Sequence, residues 1–206
     1  GQQFSLRSRA SNFSLEDIRE GAAFAREHGK KVHVTVNMLP HEDDLGGLDD
    51  YVRALADAGV HALIVASPSI ARRVKELAPS LEVHISTQHS TTNASAIRFW
   101  KEQGMDRVVL ARECTLEEVR ASCANAVLPV EVFIHGGMCI SYSGRCVLSN
   151  HMTNRDANRG GCAQSCRWKY ALYEGEREIS DPDMRFSMSS KNLQAVRFIP
   201  ALIEAG

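Results

Sequence analysis

The chain lacks a long apolar run. Nothing in its 206 residues approaches the roughly 18 consecutive apolar residues of a membrane span. It also lacks an excess of either charge, with 24 Lys and Arg against 25 Asp and Glu, so net charge excludes a histone-like or polybasic protein. The N-terminal segment GQQFSLRSRASNF has no apolar signal-peptide core, and a cytoplasmic location is the expectation. HExxH, GxSxG and Asp-Thr/Ser-Gly are absent, so the hydrolase motifs with known mechanics find no support. What remains is 44% hydrophobic and 24% charged, an ordinary globular composition. The length suits one large domain, or one with an insertion.

The one oddity is six cysteines, at 114, 123, 139, 146, 162 and 166, four of them within 28 residues. Disulfide-stapled chains are usually short and secreted. In a longer chain without an export signal, clustered cysteines point instead to metal binding or catalysis.

Residues 1–136 alternate between two patterns. Runs at 31–39, 61–66, 81–87, 107–112 and 130–135 are β-branched and apolar on both faces, as buried parallel strands are. Between them, apolar stripes such as Leu15-Ile18-Ala22, Val52-Leu55-Ala56, Ile70-Val74-Leu77 and Leu116-Val119-Cys123 predict helices. Ser14 with Asp17, and Thr115 with Glu118, are capping-box pairs; Ser67 before Pro68 is a further start signal. A weak repeat, EHGKKVHV, DAGVHALI and EQGMDRVV, places a glycine helix cap just before each strand. This rhythm predicts a parallel α/β architecture, closed barrel or open sheet. No GxGxxG follows the first strand, which weakens a dinucleotide-binding sheet. Five visible strands, a return strand expected at RFSMSS (185–190), and one strand inferred beyond each end make eight. The predicted fold class is therefore a (β/α)8 TIM-barrel-like core lacking its first and last strands. Its parts are barrel units over 1–136, a cysteine-rich insertion over 137–180, and a return to the barrel over 181–206.

The rhythm stops at residue 136. Residues 135–170 show no period and are rich in Gly, Ser, Asn and Arg. Unstructured loops of about 30 residues are uncommon and usually functional. This one follows a strand, which puts it at the C-terminal face where barrel active sites lie. KYALYEGEREI (169–179) then reads as a hairpin. The spacing Cys139-x6-Cys146-x15-Cys162-x3-Cys166 suits four thiolates around one centre. Structural zinc takes tighter pairs, so the first gap fits an iron–sulfur cubane better; zinc, free thiols and disulfides stay open. Cys114 and Cys123 read as packed thiols. The segment also carries Arg145, Arg155, Arg159, Arg167 and Lys169 against Asp156 alone, with Tyr142, Trp168 and Tyr170 interleaved. Basic groups with aromatics suit an anionic ligand such as RNA.

The segment EVFIHGGMCISYSGRCVLS (131–149) resembles the signature of the U32 peptidase family. NRDANRGGCAQSCRWKY (154–170) looks like its branch of tRNA 5-hydroxyuridine synthases. VNMLPHEDD (36–44), HISTQHSTTN (84–93), LARECTLEE (110–118) and MSSKNL (188–193) extend the resemblance along the chain. The resemblance implies a barrel-like core and a [4Fe–4S] cluster on conserved cysteines. It implies oxygen-independent hydroxylation of a tRNA wobble uridine, with prephenate, a small dicarboxylate, as the hydroxyl source. Carried over by motif, Cys139, Cys146 and Cys162 are ligands, and Cys166 is the local candidate for the fourth. It leaves room for a related partner subunit.

Barrel logic adds polar residues just past strand ends. Asn37, Gln88, Arg145 and Lys191 are candidates for substrate binding, and His135, Arg112 and Glu113 for catalysis. Arg112 and Arg145 would offer charge to a dicarboxylate or phosphate, and His135 would move a proton. Arg155, Asn158, Arg159 and Trp168 are candidates for contact with RNA. Two other readings stand beside this one. A collagenase-like peptidase would pair Cys139 or Cys146 with His135, and a non-catalytic module would bind RNA only.

Overall fold

The structure is a computed structural model, and it describes residues 3–206. Its core is five parallel strands alternating with helices: α1 (Leu15–Glu27), β1 (His33–Val36), α2 (Leu48–Asp57), β2 (Ala62–Val65), α3 (Pro68–Leu77), β3 (Glu82–Ile85), α4 (Ala94–Glu102), β4 (Arg107–Val109), α5 (Leu116–Ala124) and β5 (Val130–Glu131). The strands pair in the order β1-β2-β3-β4-β5. Each neighbours its successor, so the sheet has no point where the strand order reverses, which a doubly wound sheet would have. Right-handed crossovers in that order put every helix on one face. The packing of α1 on α2, α2 on α3 and α4 on α5 agrees.

The expected helix starts are formed. Ser14 and Thr115 each accept from the backbone N–H three residues on, and Asp17 and Glu118 reach back in reciprocal capping boxes. The repeat glycines Gly29, Gly59 and Gly104 all adopt φ between 65° and 78°, the left-handed conformation that ends a helix and turns the chain into the next strand. Helix α4 is capped by Asn93, and Ile97 and Trp100, one turn apart, bury its inner side.

Register sets what faces the helices. Val34 pairs with Leu63, and Leu63 with Val83; Val36 pairs with Val65, then Ile85, then Val108. Side chains alternate along a strand, so these rows share one face, and all of them are buried. They meet Val52, Leu55, Ile70, Val74, Ile97 and Trp100 from the helices in a single core cluster.

The sheet is parallel, as expected, and among the described residues it is open, with β1 and β5 as its edges. One expectation is corrected. RFSMSS is not a strand. Its Phe186 is exposed, and at its start the Arg185 carbonyl accepts Tyr170 N–H. Instead β6 (His135–Gly136) pairs antiparallel with β9 (Leu193–Gln194), and α7 (Ile199–Glu204) follows. The alternating pattern of 185–190 was a genuine β signal, but no neighbouring strand offers it a ladder. The hairpin is formed as expected by β7 (Tyr173–Glu174) and β8 (Arg177–Glu178), joined by Gly175-Glu176. Helix α6 (Leu148–Thr153) lies inside the cysteine-rich segment. No helix of the described residues is long and apolar enough to cross a membrane.

Leu63 is fully buried at the centre of the core. Leu63→Ala should cost about 2–5 kcal/mol in urea unfolding. Phe24→Ala, on an exposed position of α1, should change stability by about 0.5 kcal/mol or less.

Candidate functional site

The cysteine-rich segment lies across the C-terminal ends of the strands, fastened there by residues that follow β1, β3 and β4. After β4, the Glu113 carboxylate accepts the Ser143 N–H at 2.6 Å. After β3, the Ser90 hydroxyl donates to the Ser143 carbonyl at 2.7 Å. Both main-chain groups of Ser143 are thereby bound to the turns at the strand ends. Gly144 follows with φ +73°, and a Cβ there would overlap the Gln88 carbonyl oxygen. Only glycine lets the loop lie this close to the turn after β3.

After β1, Leu39 N–H donates to the Asn158 carbonyl at 2.9 Å. Arg159 donates twice to Asp44, at 2.7 and 2.9 Å. The Arg159 hydrogen bonds hold the Asp44 carboxyl below the usual carboxylate range, burial opposing them. Inside the segment, Asp156 accepts from Asn158 N–H and Gly161 N–H, and the Ser149 hydroxyl accepts from Ala163 N–H.

This fastening gathers the four cysteines. Cys139, Cys146, Cys162 and Cys166 all line one cavity of about 90 Å³, with Gln88, Gly144, Asn158 and Ser165 among its other walls. Packing around Cys139 pushes its thiol up even though the residue keeps some exposed surface; the Arg112 guanidinium opposes this, and charge on Cys162, Cys166 and Cys146 adds to it. All six cysteines are free. Among the described residues no three Cys, His, Asp or Glu side chains are gathered tightly enough for a single metal ion. Four thiols lining one cavity are the donor set that an iron–sulfur cluster takes. Cys114 and Cys123 pack against the apolar core instead.

The Cys139 end is tied to the Cys166 end by Arg167. Its guanidinium donates to the Met138 carbonyl at 2.7 Å and to the Ser189 hydroxyl at 2.7 Å. Ser190 donates to the same Met138 carbonyl at 2.8 Å. The segment 188–193 thus acts as a brace behind Cys139, although not as a strand.

The other sequence candidates divide by position. Gln88 lines the cysteine cavity. Arg112 is near enough to Cys139 to act on its charge, and its guanidinium lies 4.0 Å over the Phe133 ring. Glu113 is occupied by Ser143, which makes it an anchor of the loop. Asn37 is an anchor too: it accepts Leu6 N–H at 3.2 Å and reaches Ser86. Asn158 donates to the Cys146 carbonyl at 3.1 Å. Arg145 is exposed and close to His89, whose ring is held below the usual histidine range by burial, with Arg145 adding to the effect. Lys191 is exposed. His135 is exposed in β6, and among the described residues no cysteine is hydrogen-bonded to a histidine. Arg155 and Trp168 line a second cavity. Sequence reasoning missed Asp44, Ser90, Ser143 and Gly144 as determinants of the loop. Ser143 and Gly144 had a visible signal, as the Ser-Gly pair two residues before Cys146 in the segment 131–149.

Two outcomes test this construction. Glu113→Ala should release about 1.5–3 kcal/mol of loop seating, read as faster proteolysis within 137–170 while the helical signal persists; an unchanged cleavage rate contradicts it. Asp44 has a lowered carboxyl, so its ion pair stabilises above the ordinary carboxylate range and is lost as pH falls through the lowered value. The difference in thermal stability between wild type and Asp44→Asn should be full at neutral pH and vanish in acid.

The tRNA hydroxylation protein P1 of Bacillus subtilis is 51% identical over 211 residues, covering 100% of this chain and 50% of that protein. The 23S rRNA 5-hydroxycytidine C2501 synthase of Escherichia coli is 37% identical, covering 100% of this chain and 31% of the other. Other relatives carry protease names. The chain spans about a third to a half of the length of these relatives. A solved structure, titled the U32 peptidase Mk0906, aligns with a TM-score of 0.53 at 16% identity, over 63% of this chain and 56% of that one, and shares the fold. The sequence model described as Peptidase family U32 matches residues 1–206, and this chain belongs to that family.

Proposed function

We propose that this chain is the cluster-holding part of an oxygen-independent RNA hydroxylase. In this reading the substrate is a tRNA wobble uridine, the hydroxyl source is prephenate, and the cofactor is a [4Fe–4S] cluster. One observation carries it: four cysteines line a single cavity at the strand ends, in a chain whose relatives are named for hydroxylation of tRNA and rRNA. Zinc is the alternative cofactor; the six-residue gap between Cys139 and Cys146, wider than structural zinc pairs usually take, favours the cluster. In the same reading the five-stranded sheet is an arc of a (β/α)8 barrel, supported by its unreversed strand order.

Cys139, Cys146, Cys162 and Cys166 would hold the cluster, which supplies a redox-active iron centre when bound. The chain's own residues prepare the place for it. Glu113 and Ser90 fix Cys146 and Cys139 by fixing Ser143 between them. Arg167 and Ser190 fix Met138, and so the backbone at Cys139. Arg112 sets a positive charge beside thiolates that would otherwise repel one another. It is also the group best placed to pair with a carboxylate or phosphate that enters above the strand ends. Phe133 under its guanidinium holds it in that orientation.

The peptidase reading has the family's name and the protease names of other relatives on its side. Against it, a cysteine committed to a cluster is not free to attack a peptide bond, and no Cys–His pair is formed among the described residues.

The test is nucleoside mass analysis of tRNA from cells that carry the protein in wild-type, Cys139→Ala or Arg112→Ala form. The hydroxylated uridine should disappear with Cys139→Ala. It should fall by about 10- to 100-fold with Arg112→Ala, the range for losing a charged hydrogen-bonding group. A tRNA profile unchanged by Cys139→Ala, together with gelatin cleavage that this variant abolishes, would replace the hydroxylase reading with the peptidase one.

A further inference from the structure

Beside the cysteine cavity is a second, larger one of about 440 Å³, open to solvent. Its walls include Arg7, Arg9, Arg155 and Trp168, and no Asp or Glu. Leu6, Arg7, Cys162 and Gln164 line both cavities, so the two adjoin. The charge has no internal use. Among the described residues Arg7, Arg9 and Arg155 form no ion pair, and Arg155 Nε is shielded from solvent with no acceptor. Other arginines nearby are spent on the protein, Arg159 on Asp44 and Arg167 on Met138 and Ser189.

The arrangement is built from two distant stretches of chain. Phe4 is buried against Tyr51, with ring centroids 5.6 Å apart. Its carbonyl accepts Met38 N–H at 3.1 Å. Four residues on, Ser8 packs on Gly160, which has φ +91° and where a Cβ would overlap the Ser8 hydroxyl. Ser8 faces the loop, and its neighbours Arg7 and Arg9 flank that contact. Nothing in the sequence near Arg7 and Arg9 announces this, because their partners are about 150 residues away.

We propose that this cavity is the entry groove for a single-stranded RNA segment: Arg7, Arg9 and Arg155 neutralise consecutive phosphates, and the Trp168 indole stacks a base next to the cysteine site. The inference rests on the RNA-hydroxylase reading above and specifies where that substrate lies. Binding cavities typically run from about 300 to 1,000 Å³, so the volume suits a nucleotide unit. Cationic side chains along a groove with an exposed aromatic are the elements of sequence-tolerant single-strand binding. A small dicarboxylate would use an enclosed site with two convergent cations. Here the guanidiniums are spread along an open groove, and the Trp168 side is half exposed.

The experiment is a salt titration of binding to a labelled RNA stem-loop whose loop contains uridine, using the purified protein. Each phosphate contact on a single strand contributes about 0.7 to the slope of log K against log salt. Arg7→Ala, Arg9→Ala and Arg155→Ala together should therefore flatten the slope by about 2. The corresponding triple Lys variant should keep the slope, which separates lost charge from lost fold. Trp168→Ala should weaken binding by about tenfold at an unchanged slope, since stacking releases no counterions. Wild-type slope and affinity in the triple Ala variant overturn the groove and leave the hydroxylase reading standing. Competitive displacement of the RNA by succinate at constant ionic strength also overturns it, and assigns the cavity to a small diacid. Wild-type protein that binds no RNA overturns the reading on which the groove rests.

Discussion

Everything in the candidate site depends on the hold that Glu113 and Ser90 have on one residue, Ser143. Its N–H goes to a carboxylate from the end of β4 and its carbonyl to a hydroxyl from the end of β3. A loop with little secondary structure of its own cannot order four thiols unaided, because each ordered residue costs roughly 1–2 kcal/mol of backbone entropy. A charge-assisted hydrogen bond in a partly buried place is strong enough to begin offsetting that cost. With Ser143 fixed, Gly144 can pass against the Gln88 carbonyl, and Cys139 and Cys146 fall on the same cavity. The remaining fasteners, Asp44 to Arg159 and Met138 to Arg167, close the same loop from its other end.

The strands themselves contribute position rather than chemistry. Their helix-facing rows of Val, Leu and Ile are buried and fix the sheet. The turns just beyond Val36, Ile85 and Val109 then present Asn37, Ser86 to Ser90, and Arg112 with Glu113 on one end of it. The division of labour among these polar residues is uneven. Asn37, Ser90 and Glu113 are spent on holding segments of the chain. Gln88 lines the cysteine cavity, and Arg112 stands near enough to Cys139 to act on its charge. In the proposed enzyme Arg112, beside Cys139, and Arg7, on the cavity wall, are the charged groups at the chemistry, with the arginine groove handling the longer-range attraction of an anionic strand.

Much of this was readable from residues alone, for local reasons. Caps such as Ser14 and Thr115 act within four residues, and the glycines at 29, 59 and 104 act at their own φ angle, so sequence shows both. The cysteine convergence was readable because spacing and composition marked 139–166. What was not readable depends on contacts across long separations. Asp44 pairs with Arg159 from 115 residues away, and in sequence a strand-end carboxylate such as Glu113 looks the same whether it binds substrate or a backbone N–H. RFSMSS has strand-like alternation but no partner edge, and its failure as a strand is a fact about its neighbours. Arg7 and Arg9 lay in a terminus that had been read only for the signal it lacked.

The central claim is that the four cysteines act as one ligand set and that Cys114 and Cys123 do not belong to it. Iron and acid-labile sulfide measured per chain in anaerobically purified protein, for wild type and for each of the six single Cys→Ala variants, tests this most directly. The account predicts about four irons in wild type, as a cubane requires. Cluster content should collapse for Cys139, Cys146, Cys162 and Cys166 and be retained for Cys114 and Cys123. One zinc per chain in the wild type, or full iron content after loss of any of the four, would contradict it.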